Sequence, residues 1–159
     1  MSQPIATRIH RLEPLRLSFR GRVLCALLSV ACLGVLVTAR LIEPSPSGVG
    51  THRRLGMAPC SFLRTTGLPC GTCGMTTAVA HFSRGNLATS FYVQPFGAAV
   101  AVATGMAFWV AGYCAVSGRP AYRLLRRLPV GGVVTAILAF WLAAWGWKIW
   151  LVVGGRVGA

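Results

Sequence analysis

Three long apolar runs, separated by polar segments that contain arginine, dominate the pattern of the chain. They cover residues 23–42, 96–116 and 128–153. Because the hydrocarbon core of a bilayer is about 30 Å thick, roughly 20 helical residues cross it. In hydrocarbon a helix satisfies its own backbone hydrogen bonds, whereas an open strand cannot. The pattern therefore predicts an all-α integral membrane protein with three transmembrane helices and one or two short interfacial helices in the first loop.

Two basic residues lie within these runs, each close to a C-terminal end. Arg40 lies near the end of the first run, and Lys148 lies among Trp145, Trp147 and Trp150 near the end of the third. Long basic side chains and tryptophan favour the membrane–water interface. We therefore expect Lys148 to extend toward the headgroups, and we expect no ionisable side chain at mid-depth.

The first run has a second interpretation, because Val37-Thr38-Ala39 would suit a signal-peptidase site. Its apolar stretch is longer than the usual signal core of about 7–15 residues, so we favour an uncleaved anchor. The predicted division of the chain begins with a basic N-terminal segment (1–22), the first transmembrane helix (23–42) and the first loop (43–95). The second helix (96–116), a basic loop (117–127), the third helix (128–153) and a short tail (154–159) follow.

The composition supports a membrane protein over the soluble alternatives. The chain of 159 residues has 16 Lys or Arg against 2 Asp or Glu, yet only 11% of its residues are charged and 55% are hydrophobic. A disordered basic tail would be richer in charge, and a soluble domain needs a more polar surface. With no nucleic-acid-binding signature beside the arginines, we expect no nucleic-acid partner.

The distribution of positive charge predicts the orientation in the membrane. The segments 1–22 and 117–127 hold nine of the 16 basic residues. The positive-inside rule places both in the cytoplasm, and it places the loop 43–95 on the exoplasmic side. We expect a multi-pass protein of the cell membrane. Its partners are the lipid bilayer and either another membrane protein or a second copy of the chain.

The loop 43–95 contains the densest chemical information in the chain. Three cysteines, Cys60, Cys70 and Cys73, lie within 14 residues of one another. After Pro69 the apolar spacing predicts a helix, with Cys73, Thr77 and His81 along one stripe and Cys70 one turn earlier. Gly85 is expected to end this helix, and Asn86 to cap the next.

This motif resembles a small family of bacterial membrane proteins, domain-of-unknown-function family 2752, over about residues 55 to 150. The resemblance implies an integral protein of the bacterial inner membrane and supplies no activity. Three positions depart from the family pattern: Gly71 stands in place of Pro, Thr77 in place of Arg, and Gln94 in place of Asn. The matching positions are Cys60, Thr66, Gly67, Cys70, Cys73, Gly74, Thr76, Gly85 and Pro95.

Three kinds of cysteine chemistry fit this spacing. Cys60 paired with Cys70 or Cys73 would form a structural disulfide, which persists in an exoplasmic loop. Alternatively, Cys70 and Cys73 form a thiol–disulfide pair, because a Cys-x-x-Cys at a helix N-terminus lowers the pKa of its first thiol. The third interpretation is a Cys3His site for zinc that adds His81. A fourth interpretation involves no such chemistry, and in it the cysteines are reduced, buried thiols with a packing role. Gly74 excludes a c-type haem, because that motif requires His there.

The remaining residues offer no catalytic set. The chain has no Asp, no Gly-rich phosphate loop that would indicate a nucleotide, and no Ser/His/Asp constellation. Arg64 and Arg84 are the basic residues nearest the motif. The leading hypothesis is therefore a non-enzymatic membrane scaffold or accessory subunit whose loop is fixed by a disulfide. The alternatives are a membrane thiol–disulfide protein and the metal site.

Overall fold

The computed structural model describes residues 16–121 and 129–157. They form α1 (Phe19–Leu41), a 3-10 helix (Thr51–Leu55), α2 (Ser61–Thr66), α3 (Met75–Ser83), α4 (Leu87–Val93), α5 (Pro95–Ser117) and α6 (Val130–Val153). These described ranges contain no strand, so the all-α prediction is confirmed. The loop carries more short helices than the one or two expected. Residues 1–15 and 122–128, with most of the predicted cytoplasmic arginines, lie outside the described residues.

Helices α1, α5 and α6 have the length and apolar composition of membrane spans, at 23, 23 and 24 residues. Most of their large side chains are exposed on the protein surface, as Leu24, Trp109 and Ile137 illustrate. Such surfaces suit contact with lipid tails, because hydrocarbon solvates them without the cost that water imposes. The chain is thus a multi-pass membrane protein with the bilayer as its surroundings.

Helices α1 and α5 pack against each other along their lengths in opposite directions. Midway, the Ser29 hydroxyl donates to the Phe108 carbonyl oxygen at 3.1 Å. At the far end, the Arg22 guanidinium donates to the Ala115 and Val116 carbonyl oxygens at 2.9 and 3.0 Å. Those carbonyls belong to the last turn of α5 and lack partners within the helix, so Arg22 satisfies them.

Helix α6 is offset along the axis relative to α5. Phe96, at the start of α5, contacts Phe140 near the middle of α6, with ring centroids 6.0 Å apart. The second half of α6 therefore extends beyond the first turn of α5. There it meets the loop, since Trp145 and Trp147 donate their indole N–H groups to the Pro69 and Tyr92 carbonyl oxygens, both at 2.9 Å.

The loop helices pack on the ends of α1 and α5. Helix α3 contacts α1, α4 and α5. The Arg84 side chain, just after α3, donates to the Ala39 carbonyl oxygen at 3.2 Å and so joins the loop to the end of α1. The loop, the end of α1, the start of α5 and the end of α6 therefore lie on the same side of the molecule.

Candidate functional site: a three-thiol cluster

The helix that follows the cysteine motif begins later than the apolar spacing predicts. Helix α3 starts at Met75, and Cys70 to Gly74 form a turn before it, with the Cys73 N–H donating to the Cys70 carbonyl oxygen at 2.9 Å. Gly74 ends this turn with a φ of 90°, which a residue with a Cβ adopts only under strain. Cys73 is therefore not on a helical stripe with Thr77 and His81.

The turn brings three thiols together. The Sγ atoms of Cys60, Cys70 and Cys73 all lie within 4.8 Å of one another. Cys60 immediately precedes α2, whereas the other two belong to the turn. The closest pair is Cys70 and Cys73, whose Sγ atoms are 3.4 Å apart. None of the chain's six cysteines, all within the described residues, is bonded to another, so the predicted structural disulfide is not formed in this structure.

The two thiols of the closest pair differ in acidity. Burial raises the pKa of Cys70, but hydrogen bonds from the hydroxyl and backbone N–H of Thr72 and from the neighbouring thiols outweigh it and bring the pKa down to about 7. Burial and the adjacent Cys70 raise the pKa of Cys73 to about 12. At neutral pH about half of Cys70 is therefore a nucleophilic thiolate, and it lies beside a protonated Cys73 thiol.

The Lys148 side chain does not extend outward from the protein, as a side chain reaching for the headgroups would. Its side chain is fully buried. Its ammonium group donates to the Gly48 carbonyl oxygen at 3.0 Å and to the Val93 carbonyl oxygen at 3.2 Å. The ammonium stays inside the protein because two loop carbonyl oxygens accept hydrogen bonds from it there. Such charge-assisted hydrogen bonds are roughly twice as strong as neutral ones.

The same ammonium lies next to the cysteine turn. A Cβ added to Gly74 would stand 3.0 Å from Lys148 Nζ and 2.8 Å from the Gly48 carbonyl oxygen. Gly74 is therefore required both by its backbone conformation and by the close approach of these groups. The buried ammonium of Lys148 thus lies beside Gly74, one helical turn before Thr77. Thr77 is the position where the family resemblance implies Arg.

Contacts in the structure explain two departures from the family pattern. The reason is steric for Gly71, and it is a hydrogen bond for Gln94. A Cβ on Gly71 would meet the Trp141 ring, with Cε2 only 2.9 Å away, so this turn leaves no room for Pro. Gln94 is fully buried, and its amide N–H donates to the Gly71 carbonyl oxygen at 3.2 Å. Its own Oε1 atom has no partner among the described residues.

The other motif residues serve mainly to hold the loop. Thr77 is buried, and its hydroxyl lies 2.8 Å from that of Thr51. His81 lies outside the group of thiols. Burial and then the nearby Arg84 lower its pKa. Of the remaining predicted positions, Gly67 caps α2, Gly85 follows α3, Pro95 begins α5 and Thr76 lines an apolar groove between α1 and α3.

A cavity of about 290 Å³ leads to the cluster. Cys60 and Cys73 line it, together with three basic side chains from the 3-10 helix and α2, which are His52, Arg53 and Arg64. Of these three residues, the sequence pattern singled out Arg64 alone. Only the chain's path brings these three residues beside the thiols.

The family resemblance is confirmed over the first part of the segment expected. Residues 60–109 match the family described as "Protein of unknown function (DUF2752)". The DUF2752 match contains all three loop cysteines, α2 to α4, and α5 as far as Trp109. Neither the curated proteins nor the solved structures gave a match to this chain.

The three cysteines of the matched segment could hold a single soft cation. Thiolates are preferred ligands of zinc and of monovalent copper, and three Sγ atoms within 4.8 Å of one another can share one ion. A structural zinc site has four protein ligands as a rule. In the described residues the group comprises the three cysteines without His81, so this arrangement fits zinc less fully than the predicted Cys3His set.

Proposed function

We propose that the Cys70–Cys73 pair is a membrane-anchored dithiol that exchanges with disulfides. The observation that carries this proposal is the 3.4 Å contact between their Sγ atoms in a tight turn, with Cys60 Sγ within 4.8 Å of both. Two thiols in such contact can form a bond with a small rotation of their side chains. A third thiol at the same point would not make a purely structural disulfide more stable.

The difference in acidity supports a division of roles. The Cys70 thiolate attacks one sulfur of a substrate disulfide, which breaks the sulfur–sulfur bond and releases one substrate thiolate that takes up a proton. Cys73 then loses its proton and attacks Cys70 Sγ, which releases the second substrate thiolate. Two electrons pass from the protein dithiol to the substrate disulfide, Cys73 and the surrounding water supply the protons of the two product thiols, and a Cys70–Cys73 disulfide remains. The reverse sequence oxidises a substrate dithiol.

Placement in the membrane completes the proposal. With the N-terminus in the cytoplasm, the loop and the end of α6 face the exoplasmic side of a bacterial inner membrane. Disulfides persist on that side. The helices α1, α5 and α6 would then hold the dithiol at the bilayer surface, where membrane-protein partners or a second copy of the chain are accessible.

A scaffold role with an inert disulfide is the second candidate. It is favoured by how firmly the turn is held: Lys148, Gln94 and Trp145 all donate to backbone carbonyls in or around it. The two candidates differ in the stability of the bond. Structural disulfides have reduction potentials below about −300 mV, whereas exchanging pairs lie above that value.

A redox titration of the full chain in lipid nanodiscs separates these candidates. Mass mapping of all six cysteines identifies the bonded pair at each potential. We expect a Cys70–Cys73 bond with a potential above about −300 mV. A control variant with Ser at Cys25, Cys32 and Cys114, which lie in the membrane helices, should titrate as the wild type does.

The titration also distinguishes the other outcomes. A potential well below about −300 mV would support the scaffold and end the exchange proposal. Stoichiometric zinc in the purified protein that Cys73→Ser removes, with thiols that resist oxidation, would support the metal site instead.

A further inference from the structure

The cavity beside the thiols has the charge of an anion-binding site. Its basic wall consists of His52, Arg53 and Arg64, and no carboxylate lines it. Among the described residues the single ion pair joins Glu43 to Arg54, whose side chain does not line the cavity. The positive field inside the cavity is therefore not neutralised by the residues around it, and a low-dielectric wall strengthens such a field.

The size of the cavity limits what can enter. Its volume of about 290 Å³ lies at the lower end of the range for small-molecule sites, which is roughly 300–1,000 Å³. A folded protein surface does not enter such a space. The occupant is therefore a small molecule, with the hydroxyl groups of Ser45 and Ser47 as further polar partners on the wall.

The position of the thiols defines the reactive end of this molecule. Cys60 and Cys73 line the cavity. Because their Sγ atoms and that of Cys70 lie within 4.8 Å of one another, a ligand sulfur seated on the first two lies close to the third. A carboxylate at the opposite end of the ligand would then reach the basic wall.

We infer that the cavity binds small carboxylate-bearing disulfides and the thiols derived from them, and so selects anionic substrates for the dithiol. The inference rests on the proposed exchange function and adds the substrate class. Arg53 and Arg64 would hold the carboxylate, with His52 beside them. The thiol cluster would hold the sulfur. Exchange proceeds by the balanced steps given above, with the carboxylate-bearing thiol as the released product.

The test compares three disulfides of similar length and different end charge. Reduced full-length protein in neutral-lipid nanodiscs is oxidised by dithiodipropionate, which is dianionic, by bis(hydroxyethyl) disulfide, which is neutral, or by cystamine, which is dicationic. We expect dithiodipropionate to react about tenfold faster than the neutral probe at low salt, because charge steering acts mainly on association. Cystamine should be the slowest, and high salt should reduce the differences.

Variants identify the residues responsible. Arg53→Gln combined with Arg64→Gln should reduce the preference for dithiodipropionate to about twofold. Arg54→Gln is the control for the single variant Arg53→Gln, because each removes one charge from the same 3-10 helix but Arg54 lies outside the cavity wall. An arginine that only activates the thiols would slow all three probes alike, so the ratio of rates is the decisive quantity.

A second measurement does not depend on redox chemistry. Suberate has the length of dithiodipropionate with methylene groups in place of the sulfurs, and it should slow alkylation of Cys60 by a neutral maleimide. Octanediol, its uncharged counterpart, should not. Protection by both compounds, or by neither, would overturn the anion site.

The outcomes also separate this inference from the exchange function. Equal rates with all three probes, with a Cys70–Cys73 disulfide as product, would overturn the anion selectivity and leave the exchange function standing. Absence of that disulfide with every probe would overturn the exchange function. The suberate measurement would then decide whether the anion site exists.

Discussion

The ammonium nitrogen of Lys148 lies 3.0 Å from the carbonyl oxygen of Gly48, a residue 100 positions earlier in the chain. This hydrogen bond joins the last membrane helix to the start of the loop, and a second one reaches Val93 just before α5. Gly74 packs against both the ammonium and the Gly48 carbonyl group. One side chain from α6 therefore fixes three separate points around the cysteine turn.

Replacing Lys148 with Met should loosen the loop. The substitution keeps an unbranched side chain but leaves the Gly48 and Val93 carbonyl oxygens buried without a donor, which costs about 1–3 kcal/mol. Thermal unfolding in detergent should show this loss. Because about 1.4 kcal/mol corresponds to a tenfold change in an equilibrium, Cys73 should be alkylated several-fold to about a hundredfold faster.

Arg156→Gln is the control for this variant. Arg156 is an exposed basic residue near the same end of α6, with its guanidinium 4.0 Å from the centroid of the Trp150 ring. An exposed cation–π contact is worth about 0.5–1 kcal/mol. If Lys148→Met cost no more than this control, the buried hydrogen bonds of Lys148 would not hold the loop.

Gly71→Ala should destabilise the protein through a clash with Trp141. Gly71 is not among the glycines with positive φ, so the cost is steric, and overpacking of this kind costs about 1–3 kcal/mol. Trp141→Leu in the same chain should recover part of the loss by making room for the new Cβ. A double-mutant cycle of unfolding free energies measures this coupling.

Gly105→Ala provides the comparison for the previous variant. Gly105 lies in α5, and a Cβ there would meet no atom within 4 Å. The change should therefore leave the unfolding free energy within about 1 kcal/mol or raise it slightly. A strictly additive Gly71→Ala/Trp141→Leu double variant would contradict the proposed contact.

The rate of Cys70 alkylation should depend on pH as expected for a thiol with a lowered pKa. With a pKa of about 7, its thiolate fraction rises from about a tenth at pH 6 to about nine-tenths at pH 8, so the rate should increase roughly ninefold and then level off. Cys73, with its pKa raised to about 12, should react slowly throughout this range. Mass spectrometry of the labelled cysteines follows both rates separately.

Thr72→Val tests the cause of this acidity. The Thr72 hydroxyl lies 3.3 Å from Cys70 Sγ and stabilises its thiolate. Its removal should raise the pKa of Cys70 and move the plateau to higher pH. A plateau that stayed near pH 8 would assign the low pKa to the other donors.

The buried hydroxyl pair of Thr51 and Thr77 should couple the 3-10 helix to α3. The two Oγ1 atoms lie 2.8 Å apart, and the Ser45 N–H also donates to Thr51. Thr77→Val leaves the Thr51 hydroxyl with one partner fewer and should cost about 1–2 kcal/mol. Thr77→Ser should cost less, because the hydroxyl is retained. The unfolding midpoints of the two variants, compared in the same detergent, check this order.

Sequence reasoning located the membrane helices because their signal is local. Chain length and apolar composition alone decide whether a helix can cross hydrocarbon. It also placed Asn86 as a helix cap, and the Asn86 side chain accepts from the Thr89 N–H at 3.3 Å. The predicted start of the motif helix was wrong, because Gly74 adopts a left-handed conformation that the apolar spacing does not reveal.

The sequence by itself determined that this chain is helical, crosses the membrane and carries three cysteines in its first loop. These properties depend on composition and on short spacings, which act within a few residues. The tertiary structure decided that the three thiols converge, that Lys148 is buried and that basic residues line the cavity beside Cys60. Each of these three arrangements depends on contacts between residues distant in sequence. The free energy of those contacts depends on how the loop packs against α6, which short spacings in the sequence do not reveal.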